Sequence, residues 1–136
     1  MSKTWVDTGA LLALASPRDQ YHERAVAALR RHSEAGARWV SSVMVLAEFH
    51  VHAVRRRGPL TARTAVANLL SDAGYDWLDV PVAVVGDAVS RWLDRFPDQP
   101  FSLIDAVSFE LMRHERLTQA FAFDQHFVIA GFELLD

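Results

Sequence analysis

Four acidic side chains, Asp7, Glu48, Asp105 and Asp124, stand where the surrounding residues give little reason for a charge. Asp7 ends the short β-prone run Lys3-Thr4-Trp5-Val6, and Asp124 follows the apolar run Gln-Ala-Phe-Ala-Phe at 119–123. Asp105 falls in the first turn of a helix-prone segment opening at Ser102. Glu48 interrupts the apolar helical stretch Val-Met-Val-Leu-Ala-Glu-Phe, where burying an uncompensated charge is costly. Carboxylates drawn together repel and need a counter-charge. A divalent cation supplies one, and oxygen ligands in a chain without cysteine favour Mg²⁺ or Mn²⁺ over zinc. A cation held this way polarises a phosphoryl oxygen and activates water for in-line attack on phosphorus.

Taken singly, each acid has a plainer role. Asp7 can cap the helix that begins at Thr8. Ser102-Leu-Ile-Asp105 matches a capping box, and Asp124 suits a turn after a strand. Glu48 could lie on a solvent-facing edge of its helix. The case for chemistry is collective. It requires the four to meet.

The elements that would bring them together alternate along the chain. Strands are expected at 3–6, 38–40, 76–80, 119–123 and 132–135. Helices are expected at 8–15, 20–34 with Asp19 as N-cap, 43–56 capped by Ser41 or Ser42, 61–73, 82–95 and 102–115. Such alternation predicts one α/β domain over 1–136, with a short, mainly parallel, twisted sheet between helices on both faces. In an open parallel sheet, ligands bind beyond the carboxyl ends of the strands. Asp7 and Asp124 lie there, and the loop before Asp105 should emerge close by.

Composition narrows the function further. The 136 residues are 51% hydrophobic and 23% charged, which suits a globular chain and excludes a disordered one. The absence of cysteine excludes a disulfide scaffold, a thiol nucleophile and thiolate metal sites, and it suits the reducing cytoplasm. No segment approaches the ~20 apolar residues of a membrane span. The apolar N-terminal stretch is interrupted by Asp7 and reads as strand and helix rather than as a signal peptide. A net charge of −3 does not announce a nucleic-acid binder, although Lys3 is the only lysine and every other basic residue is arginine.

Four segments now stand in order: Val-Asp7-Thr8-Gly-Ala-Leu-Leu-Ala-Leu, Leu-Ala-Glu48-Phe, Phe-Ser102-Leu-Ile-Asp105-Ala-Val-Ser-Phe and Ala-Phe-Asp124-Gln-His-Phe. In that order and spacing they resemble the signature segments of PIN-domain ribonucleases, most closely the VapC toxin type of bacterial toxin–antitoxin systems. The resemblance covers nearly the whole chain. It implies a PIN-like α/β/α sandwich and a Mg²⁺- or Mn²⁺-dependent endoribonuclease. Asp7, Glu48, Asp105 and Asp124 would form the acidic metal site, with Asp7 and Asp105 as the firmest ligands. Glu48 and Asp124 would help hold the metal or order water, and Thr8 and Ser102 would give support by hydrogen bonding. It further implies an RNA substrate, products with 5′-phosphate and 3′-hydroxyl ends, a homodimer, and inhibition by a small antitoxin protein.

Other residues invite weaker readings. His50 and His52 differ by two positions, so on a helix they point roughly 200° apart and cannot share a metal. Glu48 and His52 are four apart and share a face. His126 follows Asp124 by two and reads more readily as a solvated loop residue than as part of a site. Arg55-Arg56-Arg57 suits either a helix C-terminus or RNA phosphates. Trp5, Trp39, Trp77 and Trp92 could stack bases, but their places in or beside expected elements favour the core. Three rival functions stand beside the nuclease. A phospho-accepting receiver domain needs a lysine beyond a late strand, and Lys3 is not there. A non-catalytic binding module gains nothing from four clustered acids. A metal-free ribonuclease using His and Arg would be insensitive to chelators.

Overall fold

The computed structural model describes residues 2–135; Met1 and Asp136, the ends of the expected 1–136 domain, lie outside the described residues. The chain opens with β1 (Lys3–Val6), α1 (Thr8–Ala15), α2 (His22–Glu34) and β2 (Arg38–Ser42). It continues through α3 (Val43–Arg57), α4 (Pro59–Ser71), β3 (Tyr75–Leu78) and α5 (Val82–Ala88). α5 runs directly into a π-helical turn, Val89–Leu93, and α6 (Leu103–Glu115), β4 (Gln119–Phe121), α7 (His126–Ile129) and β5 (Glu133–Leu134) complete it.

All five strands are parallel, in the order β3-β2-β1-β4-β5. Trp5 on central β1 pairs with Val40 on one side and Ala120 on the other. Consecutive residues Thr4, Trp5 and Val6 are all buried, so both faces of this strand are covered, as a three-layer α/β/α sandwich requires. α1 is buried on most of its surface through Ala10, Leu11, Leu12 and Ala13, which matches its uniformly apolar sequence. Aromatic rings fill the core on the α6 side, where Phe109 packs edge-on against Trp92, Phe101 and Phe127. Trp5, Trp39 and Trp92 are buried and Trp77 is half-buried, so the tryptophans serve packing.

Several boundaries differ from expectation for physical reasons. β2 runs to Ser42, where the Ser41 hydroxyl donates to the Val6 carbonyl at 2.7 Å and Ser42 alone caps α3 by accepting from Val45 N–H. Asp19 does not cap α2. Its Oδ1 accepts from Tyr21 N–H at 2.8 Å, a turn that delays the helix to His22. α4 starts at Pro59, whose missing N–H costs nothing in the first turn. β4 stops at Phe121 because its partner β1 ends at Val6; the Asp7 N–H to Phe121 carbonyl bond closes the ladder. The expected helix at 82–95 divides at Ala88, and the short α7 was not anticipated.

Candidate active site

The strand order reverses between β1 and β4, the place in a parallel sheet where the departing chains diverge and leave a crevice. Asp7 leaves β1 there. Beyond β4, Ala122 and Phe123 carry the chain irregularly to Asp124. α3 begins with no loop after β2, so Glu48 lies in the second turn of a helix rising from the same end of the sheet. Asp105 enters from α6. These four acids, with Thr8, Ser102, His52 and His126, line one open cavity of about 990 Å³.

The simple structural roles are partly filled. Asp105 does complete the capping box: its N–H donates to Ser102 Oγ, and its Oδ2 accepts from Ser102 N–H, both at 3.0 Å. Its Oδ1 accepts no hydrogen bond among the described residues. Asp124 makes the expected turn, with Oδ1 accepting from His126 N–H at 2.9 Å. Asp7 occupies the N-cap position of α1, yet its side chain makes no capping bond. Glu48 is half-buried and its carboxylate has no hydrogen-bond partner among the described residues.

His126 is the residue that sequence reasoning undervalued. Its Nδ1 lies 3.0 Å from Asp105 Oδ2 and 3.4 Å from Asp124 Oδ2. One ligand atom from each of Asp105, Asp124 and His126 fits within a 4.8 Å span, close enough to share a cation. Asp7 and Asp105, expected as the firmest ligands, line the same cavity, and His126 adds a further donor beside Asp105 and Asp124. The only advance signal was its position two residues after Asp124. α7 turns the ring inward, with Phe101 packed edge-on against it at 5.3 Å.

The electrostatics are set by what is missing. Burial first, and then the charges of Asp105, Glu48 and Asp124, push the Asp7 carboxyl from 3.8 up to about 7, against a lowering hydrogen bond from the Thr8 backbone. No cation pairs with Asp7 among the described residues. Beside it, the Thr8 hydroxyl is buried with no hydrogen-bond partner. A buried acid, an unengaged carboxylate oxygen, an unpartnered hydroxyl and an imidazole make a hard oxygen-rich donor set, which fits Mg²⁺ or Mn²⁺.

One wall of the cavity is aromatic. Tyr21 stacks on Phe123 with ring centroids 4.4 Å apart and planes 6° from parallel, and Arg24 lies over both rings. His50, by contrast, is exposed on α3 and contributes nothing to the cavity, whereas His52 lines it one turn beyond Glu48.

Comparison with known proteins places this geometry. The PIN-domain family model matches residues 5–133. Over 109 residues, covering 75% of this chain and 82% of the relative, the sequence is 33% identical to the 23S rRNA-specific endonuclease VapC20 of Mycobacterium tuberculosis. The crystal structure of that VapC20, described as a sarcin-ricin loop cleaving toxin, superposes with a TM-score of 0.83 at 30% identity over 96% of each chain. VapBC2 from Rickettsia felis, bound to a DNA fragment from its promoter, gives 0.73 at 12% identity, covering 98% of this chain and 99% of its own. FitAcB from Neisseria gonorrhoeae gives 0.66 at 15% identity, covering 98% and 96%. The last two likenesses speak to the fold alone.

Proposed function

This chain belongs to the PIN-domain family, and from that membership we propose that it is a divalent-metal-dependent endoribonuclease, the toxin of a toxin–antitoxin pair. The observation that carries the mechanism is Asp7: a buried carboxyl raised to about 7 by burial and by three neighbouring acids, with no cation paired to it among the described residues. A structural acid would have been given a partner. This one fits a site built to receive a positive charge.

In this reading Asp7, Asp105, Asp124 and Glu48 hold Mg²⁺ or Mn²⁺, with His126 beside them. The cation, when bound, polarises the scissile phosphodiester and lowers the pKa of a water. Each side chain then has its own task. Ser102 N–H fixes Asp105 Oδ2 and leaves Oδ1 free to bind. His126 bridges Asp105 and Asp124 and orients both carboxylates, the arrangement that metal-ligating groups need from their neighbours. Glu48, without a protein partner, is the group available to order a water and accept its proton. The Thr8 hydroxyl is free to donate to Asp7 or to a water beside it.

The substrate is RNA, and the sarcin-ricin loop named for VapC20 is the first RNA to test. A small antitoxin and a second copy of the chain complete the proposal. Exposed Val43, Val51, Leu60 and Val82 offer apolar surface for such partners. The test incubates purified chain with total RNA and with that loop, in Mn²⁺ or in chelator, and maps new 5′ ends. Discrete Mn²⁺-dependent ends bearing 5′-phosphate are expected. Cleavage unaffected by chelator, or equal in Asp7→Asn, overturns the reading.

A further inference from the structure

An acidic site that cuts a polyanion must hold the strand somewhere else, and a second cavity adjoins the first. It is lined by Ser16, Pro17, Asp19, Gln20 and three arginines, Arg18, Arg56 and Arg57. Asp19, Gln20 and Arg56 also line the acidic cavity, so the two are continuous. Three guanidiniums face one carboxylate there. Arg56 Nη1 is paired with Asp19 Oδ2 at 3.0 Å, and Arg57 donates only a long 3.5 Å bond to the Ala15 carbonyl. The Arg18 guanidinium has no partner among the described residues.

Helix-dipole stabilisation explains why basic residues end α3, but not why Arg18, from the turn after α1, joins them. The planar fork of arginine matches a phosphate, and phosphate contacts position a nucleic acid without reading its sequence. We propose that Arg18, Arg56 and Arg57 form a subsite for an RNA backbone phosphate next to the one that is cleaved, and that Asp19 weakens this subsite by occupying Arg56. The inference rests on the nuclease reading for its direction along the strand.

The test separates the two. Full-length chain binds a fluorescent single-stranded RNA in chelator, and affinity is followed by anisotropy from low to moderate salt. Arg18→Gln/Arg57→Gln should weaken binding roughly tenfold and reduce the salt slope by about 0.7, the value for one phosphate contact on a single strand. Asp19→Asn should tighten binding, because asparagine keeps the Oδ1 acceptor for Tyr21 N–H and removes the charged Oδ2 that holds Arg56. Circular dichroism checks that each variant is folded. With Mn²⁺, KM should rise in the double variant while kcat holds. A double variant with the parent's affinity and slope overturns the subsite, as does loss of binding to a protein partner with RNA binding intact. A parent that binds RNA with these effects but never cuts it retains the subsite and sinks the nuclease reading.

Discussion

Two buried carboxylates of this molecule have been treated in opposite ways. Glu110, on α6, is fully buried, and the protein has surrounded it with basic side chains. Arg113 Nη2 lies at 2.8 Å, and Arg91 Nε and His114 Nε2 both at 3.1 Å. Trp92 Nε1–H donates a further bond at 3.1 Å. Burial pushes Glu110 upward, but the hydrogen bonds from Arg113 and Trp92 and the two arginine charges outweigh it and hold the group below its usual range. Asp7 is also buried, but the charges that act on it are those of Asp105, Glu48 and Asp124, and it rises to about 7. The π-helical turn belongs to the first arrangement, since it lets the consecutive residues Arg91 and Trp92 reach one carboxylate. The contrast teaches that this fold can neutralise a buried acid when the purpose is structural. A site left without internal neutralisation has room for a charge from outside.

The largest effect that would break the comparison is on catalysis. Asp7→Asn or Asp105→Asn should lower Mn²⁺-dependent cleavage by at least a factor of about a thousand, while Asp7→Asn melts higher than the parent in chelator. Retained cleavage in either variant would make the two regions alike.

Next comes pH. Asp7 titrates near 3.8 in the unfolded chain and near 7 in the folded one. Between those values the folded state binds more protons, so in chelator its contribution to stability falls as pH rises, by about 4 kcal/mol across the window. Glu110 runs the other way: its folded value lies below the ordinary 4.5, so its contribution is present above that value and is lost as pH falls through the folded one. Denaturant melts from pH 4 to 8 should show a decline that Asp7→Asn flattens and that saturating Mn²⁺ offsets. A curve identical in parent and Asp7→Asn would refute the assignment.

Glu110→Gln should cost about 3 kcal/mol, the low end for breaking a buried pair because the stranded cations are partly exposed and can rehydrate. Tm should drop by roughly 10 °C, with the folded fraction still cutting RNA. A loss of cleavage larger than the loss of folded protein would tie Glu110 to the active site. The smallest effect is expected at His126→Asn, where Mn²⁺ affinity measured by calorimetry should weaken about 10- to 100-fold, as for a group that orients ligands. Unchanged affinity would return His126 to the role of a bystander.

Much of this was legible before any coordinates. The alternation of elements predicted a parallel α/β sheet. Ser102 and Asp105 announced a capping box that the structure contains. The four acids were marked by the apolar runs they interrupt or end. Other features could not be read. His126 meets Asp105 across 21 residues and Trp92 meets Glu110 across 18, and no local pattern encodes such approaches, whereas Arg113 and His114 stand one helical turn from Glu110. Asp19 was misread because asparagine-like turns and helix caps share the same residue types at adjacent positions.

Residue types and local periodicity by themselves determined most of the strands and helices, which faces are apolar, and which chemistry the acids could perform together. Only the tertiary structure decided that they line one cavity, that no cation among the described residues pairs with Asp7 while Arg91 and Trp92 come in from afar to Glu110, and that arginines from two elements meet beside the cavity. The reason is physical: propensity and patterning act over a few residues, whereas the charge a carboxyl feels depends on every group within a few ångströms, and those neighbours are chosen by the order in which strands join a sheet.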